Sequence, residues 1–542
     1  VSVLPGREGG DNLKTRTKFK ILAVALAGAF LIGAFVLQAA RAPDAPRQDL
    51  APQYGGTLRV AITHNPVLDQ TSTTATLSMV IGRHALESLF SLDSAYRPVP
   101  HLVNTYEVSP DATEYVFELR QGVLFHNGNE MTAEDVVASL RRWGRVSGFG
   151  RTLFRNVVDL AAEDRYTVRM VLRDPDVLVP LRLSDGFAAT AVIMPAEVVN
   201  EFPDSPITDI GKLIGTGPYR YEEFIPDVHL KMVRFDDYVG RDEEPSGFSG
   251  RRGAYVDSIL FLPVPDAMVR LAKVEVGEVH FAERLPADEY PAVKANPELQ
   301  TKLVSPGRWG AAVLNNRRGV FSSRTMRQAF LAALDMEEIL RAALGPEDLW
   351  RLNPSLMFKE QAIWTDAGSE FYNQKNPTRA RQLLAEAGYD GEPIVWMASP
   401  DYPDHYATAV AASAQLERVG FNIDLQAMDF PTLLARRADP ELWDVFSTFF
   451  MVSWDPTLLM VLDPSWPGWY ESEQMQEYLR QLRRTVDPAE RLKIWEKAQQ
   501  LYYEDIPTIK YGDNVLFDVL RLNVHGYWPS PFPFFWNVWL GD

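Results

Sequence analysis

The side chains in this sequence best able to move a proton near neutral pH, or to hold a transition metal, are eight histidines at positions 64, 84, 101, 126, 229, 280, 405 and 525. They fall into no ligand spacing and no H-E-x-x-H pair, so they read as surface or packed histidines. The acidic doublets Glu222-Glu223, Asp236-Asp237 and Glu243-Glu244 are the other candidates, as paired carboxylates for hydrolysis. Adjacent residues of a strand project to opposite faces, which makes solvated charge the better reading of each doublet. There is no G-x-S-x-G elbow and no G-x-x-x-x-G-K-[ST] loop, so serine hydrolases and phosphate-loop enzymes lose their strongest warrants. Gly215-Thr216-Gly217-Pro218-Tyr219-Arg220 mimics a phosphate loop but lacks the third glycine and puts Pro where a backbone donor is needed.

Composition narrows the field further. The chain has 542 residues, 46% hydrophobic and 23% charged, which excludes a disordered chain and points to sizeable cores in two to four domains. It contains no cysteine, so disulfides, Cys-ligated metals and thiol nucleophiles are excluded. A net charge of −18 repels phosphate backbones, and no nucleic-acid partner is expected. The amino terminus departs from this acidity. Arg16, Lys18 and Lys20 precede an apolar run over 21–37, followed by Ala40-Arg41-Ala42. Residues 1–42 read either as a secretory signal peptide or as an uncleaved membrane anchor, and both place the body outside the cytoplasm. Residues 43–53, with three prolines, read as a tether.

The elements that must position any site alternate in type along the body. Strands are expected over 57–62, 115–119, 167–172, 259–264, 395–399 and 443–450. Helices are expected over 76–89, from a Thr132 cap to about Trp143, and over 324–334, 377–387, 407–419 and 488–504. Residues 148–151 read as a loop. This alternation indicates α/β domains with largely parallel sheets, whose ligands sit beyond the strands' carboxyl ends.

Leu119-Arg120-Gln121-Gly122-Val123-Leu124-Phe125-His126-Asn127-Gly128, then Thr132-Ala133-Glu134-Asp135-Val136, closely resembles the large solute-binding proteins of peptide and nickel ABC importers. This is family 5 of the extracellular solute-binding proteins, with its dipeptide and oligopeptide binders. Further matches run in order: Gly55-Gly56-Thr57-Leu58-Arg59-Val60, Leu86-Glu87-Ser88-Leu89-Phe90, Gly215-Thr216-Gly217-Pro218-Tyr219, Arg324-Thr325-Met326-Arg327-Gln328-Ala329, 380–389, Asp487-Pro488-Ala489-Glu490-Arg491 and Glu504-Asp505-Ile506-Pro507. Most of these residues have structural explanations. Gly122 and Gly128 suit turns, Gly217-Pro218 a strand entry, and Arg327 with Asp335 a local ion pair.

The resemblance implies a bilobal periplasmic-binding-protein fold with two crossing strands as hinge. Lobe one would comprise 54–304 plus 508–542, with an inserted subdomain near 93–212, and lobe two 305–507. It implies the solute-binding component of an ABC importer, not an enzyme. A short peptide or peptide-like amine would be captured between the lobes and delivered to an inner-membrane permease with ATPase subunits on other chains. A monomer is expected, with no cofactor and no metal. An anchored sensory receptor and a secreted carboxylate-dependent hydrolase remain as alternatives. In peptide-binding relatives an acidic residue beside a Trp anchors the solute's ammonium group, and Ser453-Trp454-Asp455 occupies that segment. The segment is shorter than the relatives' pattern, and Asp455 also reads as a cap on the turn before Pro456. Further candidates for the cleft are His64 and Asn65 after the first strand, Trp143, Trp309, Trp396 and Tyr402, with Arg436 as a carboxylate binder. The aromatic tail 525–539 reads as packing for lobe one. Gly277-Glu278-Val279-His280 departs from the usual Gly-Glu-Val-Asp.

Overall fold

The computed structural model describes residues 51–541. The leader over 1–42 and most of the tether lie outside the described residues. The strands Thr57–Ile62 and Thr167–Leu172 and the helix Pro377–Ala387 occupy the expected residues, and the other predicted elements shift by a few residues, with two exceptions. The expected helix over 76–89 stops at Gly82, because the carbonyls of His84 and Ala85 accept the N–H groups of Tyr219 and Gly217 instead of continuing a helix. The expected loop over 148–151 is a short helix, Gly148–Phe154, capped by Ser147.

An eleven-stranded sheet forms the frame. Its order is Ile423–Ala427, Ile394–Ala398, Val445–Met451, Leu299–Leu314, Thr508–Arg521, Phe281–Ala282, Thr57–Ile62, Ser258–Pro263, His229–Arg234 and Tyr219–Ile225, with Trp350–Arg351 also on Thr508–Arg521. Parallel pairing between strands, expected to prevail, is confined to two triplets. Thr57–Ile62 has parallel neighbours in 258–263 and 281–282, and Ile394–Ala398 in 423–427 and 445–451. The other pairings are antiparallel: Leu299–Leu314 runs counter to 445–451, Thr508–Arg521 runs counter to 281–282 and to Leu299–Leu314, and a short turn closes the hairpin 219–234. A separate four-stranded sheet, Val103–Val108, Glu114–Leu119, Thr167–Leu172 and Val157–Ala162, is antiparallel throughout.

The two long strands join the halves of the large sheet. Leu299 faces Arg521 at one end and Val313 faces Thr508 at the other, with a slip in register between Val304 and Arg308. Gly307 sits in that slip, where a Cβ would lie 2.3 Å from the Asn514 carbonyl oxygen, so only glycine fits. Buried charge at this crossing is paired. Lys510 lies 2.7 Å from Asp513, and Arg351 bridges Asp513 at 2.8 Å and Glu360 through two bonds of 2.6 and 2.7 Å.

Separate cores fill the two ends of the frame and the space beneath the four-stranded sheet. Leu58, Val60, Ile259, Phe261 and Phe281 pack with the tail residues Phe535 and Val538. Trp309, Phe330, Trp396, Phe446 and Trp495 form the core of the second half. Phe117, Val136, Leu140, Trp143 and Met170 fill the space between the four-stranded sheet and the helix Ala133–Val146. Each large apolar side chain so buried contributes about 1.5–3 kcal/mol.

The sequence motifs meet one another. The His126 N–H donates to the Gly215 carbonyl at 2.8 Å, its Nδ1 accepts from the Gly215 N–H at 3.2 Å, and its Nε2 contacts the Gly217 carbonyl at 3.0 Å. Thr216 Oγ1 donates to Glu87 at 2.9 Å, tying in the Leu86–Phe90 motif. Arg327 does not pair with Asp335. Its guanidinium donates to the carbonyls of Asp505, Phe321 and Ser322, joining two motifs, while Asp335 caps the helix Met336–Leu344 and meets Lys375. A buried guanidinium satisfied by carbonyls ties the chain segments it reaches through charge-assisted hydrogen bonds.

Candidate functional site

Between the two halves lies a cavity of about 540 Å³. One wall comes from Thr76 and Met79 on the helix Thr76–Gly82, Trp143, Phe149, Arg182 and the segment Gly186–Thr190, with Phe532 of the tail; the facing wall comes from Phe449 to Trp454 and Leu458 to Met460. Its size falls within the ~300–1,000 Å³ of small-molecule sites, and its mostly apolar lining with a few polar groups is also typical of them. The strand Val445–Met451 ends here, so the facing wall stands at and beyond a strand's carboxyl end.

The indole groups of two tryptophans hold the segment 186–190. Trp143 Nε1 donates to the Ala189 carbonyl at 2.7 Å from one side, and Trp454 Nε1 donates to the Gly186 carbonyl at 2.8 Å from the other. Trp454 also stacks on Tyr96, with ring centres 4.9 Å apart and planes inclined by 21°. Residues of the second half therefore grip the first half directly. Val177 N–H to the Arg483 carbonyl and Ala362 N–H to the Ala95 carbonyl, both 3.1 Å, add to the contact.

Among the residues singled out from the sequence, Trp143, Ser453 and Trp454 line this cavity. Trp309 stands one layer behind it, fully buried, with its ring 4.4 Å from that of Phe450. Tyr402 touches the rear of Phe449, ring centres 5.4 Å apart. Trp396 belongs to the core, its Nε1 donating to Ser447 at 3.0 Å. His64 is exposed and contacts Thr63, Asn65 is tied to Asp227 at 2.6 Å, and Arg436 is half-buried with no hydrogen-bond partner for its Nε among the described residues. None of these reaches the cavity lining. Asp455 faces away from it into an ion pair with Arg491, and its carboxylate caps the turn Pro456–Leu458 by accepting from Thr457 N at 2.9 Å and Thr457 Oγ1 at 2.7 Å.

Arg182 and the segment 186–190 escaped the sequence reading. Nothing in the local pattern marks Gly186-Phe187-Ala188-Ala189-Thr190 as a wall, because its partners lie in Trp143 and in residues more than two hundred positions away. The acidic doublets are ion-paired and partly exposed: Glu222 with Lys231 at 2.5 Å, Glu223 with His229 at 2.7 Å, Asp236 with Arg234 at 2.9 Å. Among the described residues no group of three or more His, Asp or Glu side chains could hold a metal ion, and no helix is long and apolar enough to cross a membrane.

Known proteins share this architecture and sequence. Residues 97–466 match the family described as "Bacterial extracellular solute-binding proteins, family 5 Middle". A protein of Sinorhizobium fredii named "Probable peptide ABC transporter periplasmic-binding protein" is 29% identical over 516 residues, covering 92% of this chain and 96% of the relative. The glutathione-binding protein of Escherichia coli K12 is 24% identical over 495 residues, covering 86% and 90%. The crystal structure of the ABC transporter substrate-binding protein CtaP of Listeria monocytogenes superposes with a TM-score of 0.78 at 20% identity, covering 90% of this chain and all of that one. With the family's profile spanning more than half of its length, this chain belongs to the family 5 bacterial extracellular solute-binding proteins.

Proposed function

We propose that the protein captures a short peptide or peptide-like amine in the cavity between its halves and delivers it, chemically unchanged, to an inner-membrane permease driven by ATPase subunits on other chains. The halves are then the two lobes, 54–304 with 508–542 and 305–507, turning about the two long strands. The observation that carries this reading is the cavity itself, because both of its walls are built of residues that must separate for a solute to enter and meet again to bury it. Support comes from the names of the two sequence relatives, one a peptide transporter component and the other a binder of glutathione, itself a tripeptide. The protein works in the periplasm, free or held by residues 21–37, and as a monomer.

A thermal-shift screen of peptides, opines, sugars and metal chelates tests the reading. A solute present at a hundred times its Kd adds about 2.7 kcal/mol to the folded state. Recovery of the bound solute unaltered after prolonged incubation separates a binding protein from a hydrolase. A screen in which only sugars or metal chelates raise the melting temperature refutes the peptide assignment.

A further inference from the structure

Charge inside the cavity is one-sided. Of the residues lining it only Arg182 is ionisable; the rest are aromatic, aliphatic, Met, Gly, Ser or Thr. Arg182 ends the short helix Val179–Arg182, with its side chain 18% exposed. Its Nε donates to Asp176 at 3.1 Å, and its two terminal nitrogens have no hydrogen-bond partner among the described residues. Asp176 holds the guanidinium in place without covering the donors that form a carboxylate-binding fork. The facing wall offers no counterpart for an amine. Asp455, the one acidic residue next to Trp454, is consumed by Arg491 and by Thr457. The two indole N–H groups are spent on Gly186 and Ala189.

From this distribution we infer that the cavity recognises the carboxylate of its solute through Arg182 and takes an apolar side chain, aromatic or branched, against Trp143, Phe149, Phe187 and Phe450. The solute's amino group is left without a charged partner. A desolvated carboxylate is held by the paired donors of a guanidinium, whereas an ammonium in the same place would face that positive charge and a wall with no anion. The inference rests on the proposed function for the location of the solute, and refines it by naming the end of the solute that is read.

Calorimetric titration of the full-length protein with three forms of Leu-Phe provides the test: the free acid, the carboxy-terminal amide and the N-acetyl acid. The free acid and the N-acetyl acid are expected to bind within about threefold of each other, and the amide about 10- to 100-fold more weakly. The difference between acid and amide should vanish in Arg182→Gln and be partly restored in Arg182→Lys. Equal binding of acid and amide, or loss of binding on N-acetylation alone, overturns the inference while leaving the peptide reading intact. If no form of Leu-Phe binds but 3-phenylpropionate does, and requires Arg182, the peptide reading falls and the carboxylate site stands. Binding of none of the four probes removes both.

Discussion

Trp454 and Asp455 are neighbours in the chain with opposite tasks. Trp454 spans the gap between the halves, and Trp454→Phe removes its hydrogen bond to Gly186 while keeping a ring to stack on Tyr96. A neutral hydrogen bond is worth about 1 kcal/mol, so solute affinity should drop about fivefold with little change in folding stability. Titration beside a urea melt separates the two, and an unchanged affinity would show that the bond does not serve closure. Asp455→Asn does the reverse. Asparagine still caps the turn, but Arg491, partly buried, loses its counter-charge, and stability should fall by about 2 kcal/mol with solute affinity kept within threefold. A large loss of affinity at unchanged stability would restore the amine-anchor role. His280 shows a substitution tolerated at another motif position. Its Nδ1 accepts the Arg59 N–H at 3.0 Å, and burial, with Arg59 and Arg521 nearby, lowers its pKa to about 4, so the imidazole stays neutral and available as an acceptor.

Among the elements, local signals suffice where the local physics is strong. Thr132 precedes the helix Ala133–Val146, and the Asp135 carboxylate accepts from both Thr132 N and Thr132 Oγ1 at 2.8 Å, a tied start that the Thr-Ala-Glu-Asp string announces. Thr132→Ala should cost about 1 kcal/mol in a urea melt, and a neutral result would mean that Thr132 N and Asp135 suffice. Gly217 obeys a longer-range constraint, since a Cβ there would stand 2.5 Å from the His84 carbonyl oxygen. Gly217→Ala should therefore destabilise by more than the Thr132 change, about 2 kcal/mol or more, because backbone must yield. The two misread stretches have the same origin. Residues 83–89 carry helical spacing, but the His84 and Ala85 carbonyls accept from Tyr219 and Gly217, and residues 148–151 look like a loop for their glycines, although Gly150 is there because its Cβ would lie 2.1 Å from the Trp143 carbonyl oxygen.

For the whole molecule, buried histidines set an acid limit. His84 is pushed down to about 3 by burial, aided by Arg83 and Arg252; its Nδ1 meets the Ile81 carbonyl at 3.0 Å and its Nε2 accepts from the Phe535 N–H at 2.9 Å, so it bridges the first half and the tail only when neutral. His126 is lowered to about 4, again chiefly by burial. Both groups ionise near 6.5 in the unfolded chain. Between pH 6.5 and about 4 the unfolded chain therefore binds more protons than the folded protein. Stability should decline over that window as pH falls, by up to about 1.4 kcal/mol per pH unit for each group, and show no contribution from them above pH 7. Urea midpoints at pH 7.5, 6.0 and 5.0 measure this; a flat series would mean that the two imidazoles are hydrated in the folded state.

The α/β alternation, most element positions, the lack of cysteine chemistry and the family resemblance are legible in the amino-acid string, because periodicity, caps and turn glycines are properties of a few neighbouring residues. The string also marked Trp143, Ser453 and Trp454, which do line the cavity. That the parallel pairing stops at two triplets, that Asp455 is spent on Arg491, and that Arg182 is the one charge among the residues lining the cavity are set by the folded chain. Each of those outcomes depends on which distant residue arrives opposite. An ion pair or a cavity wall is a relation between segments that share no local pattern, and packing alone brings them together.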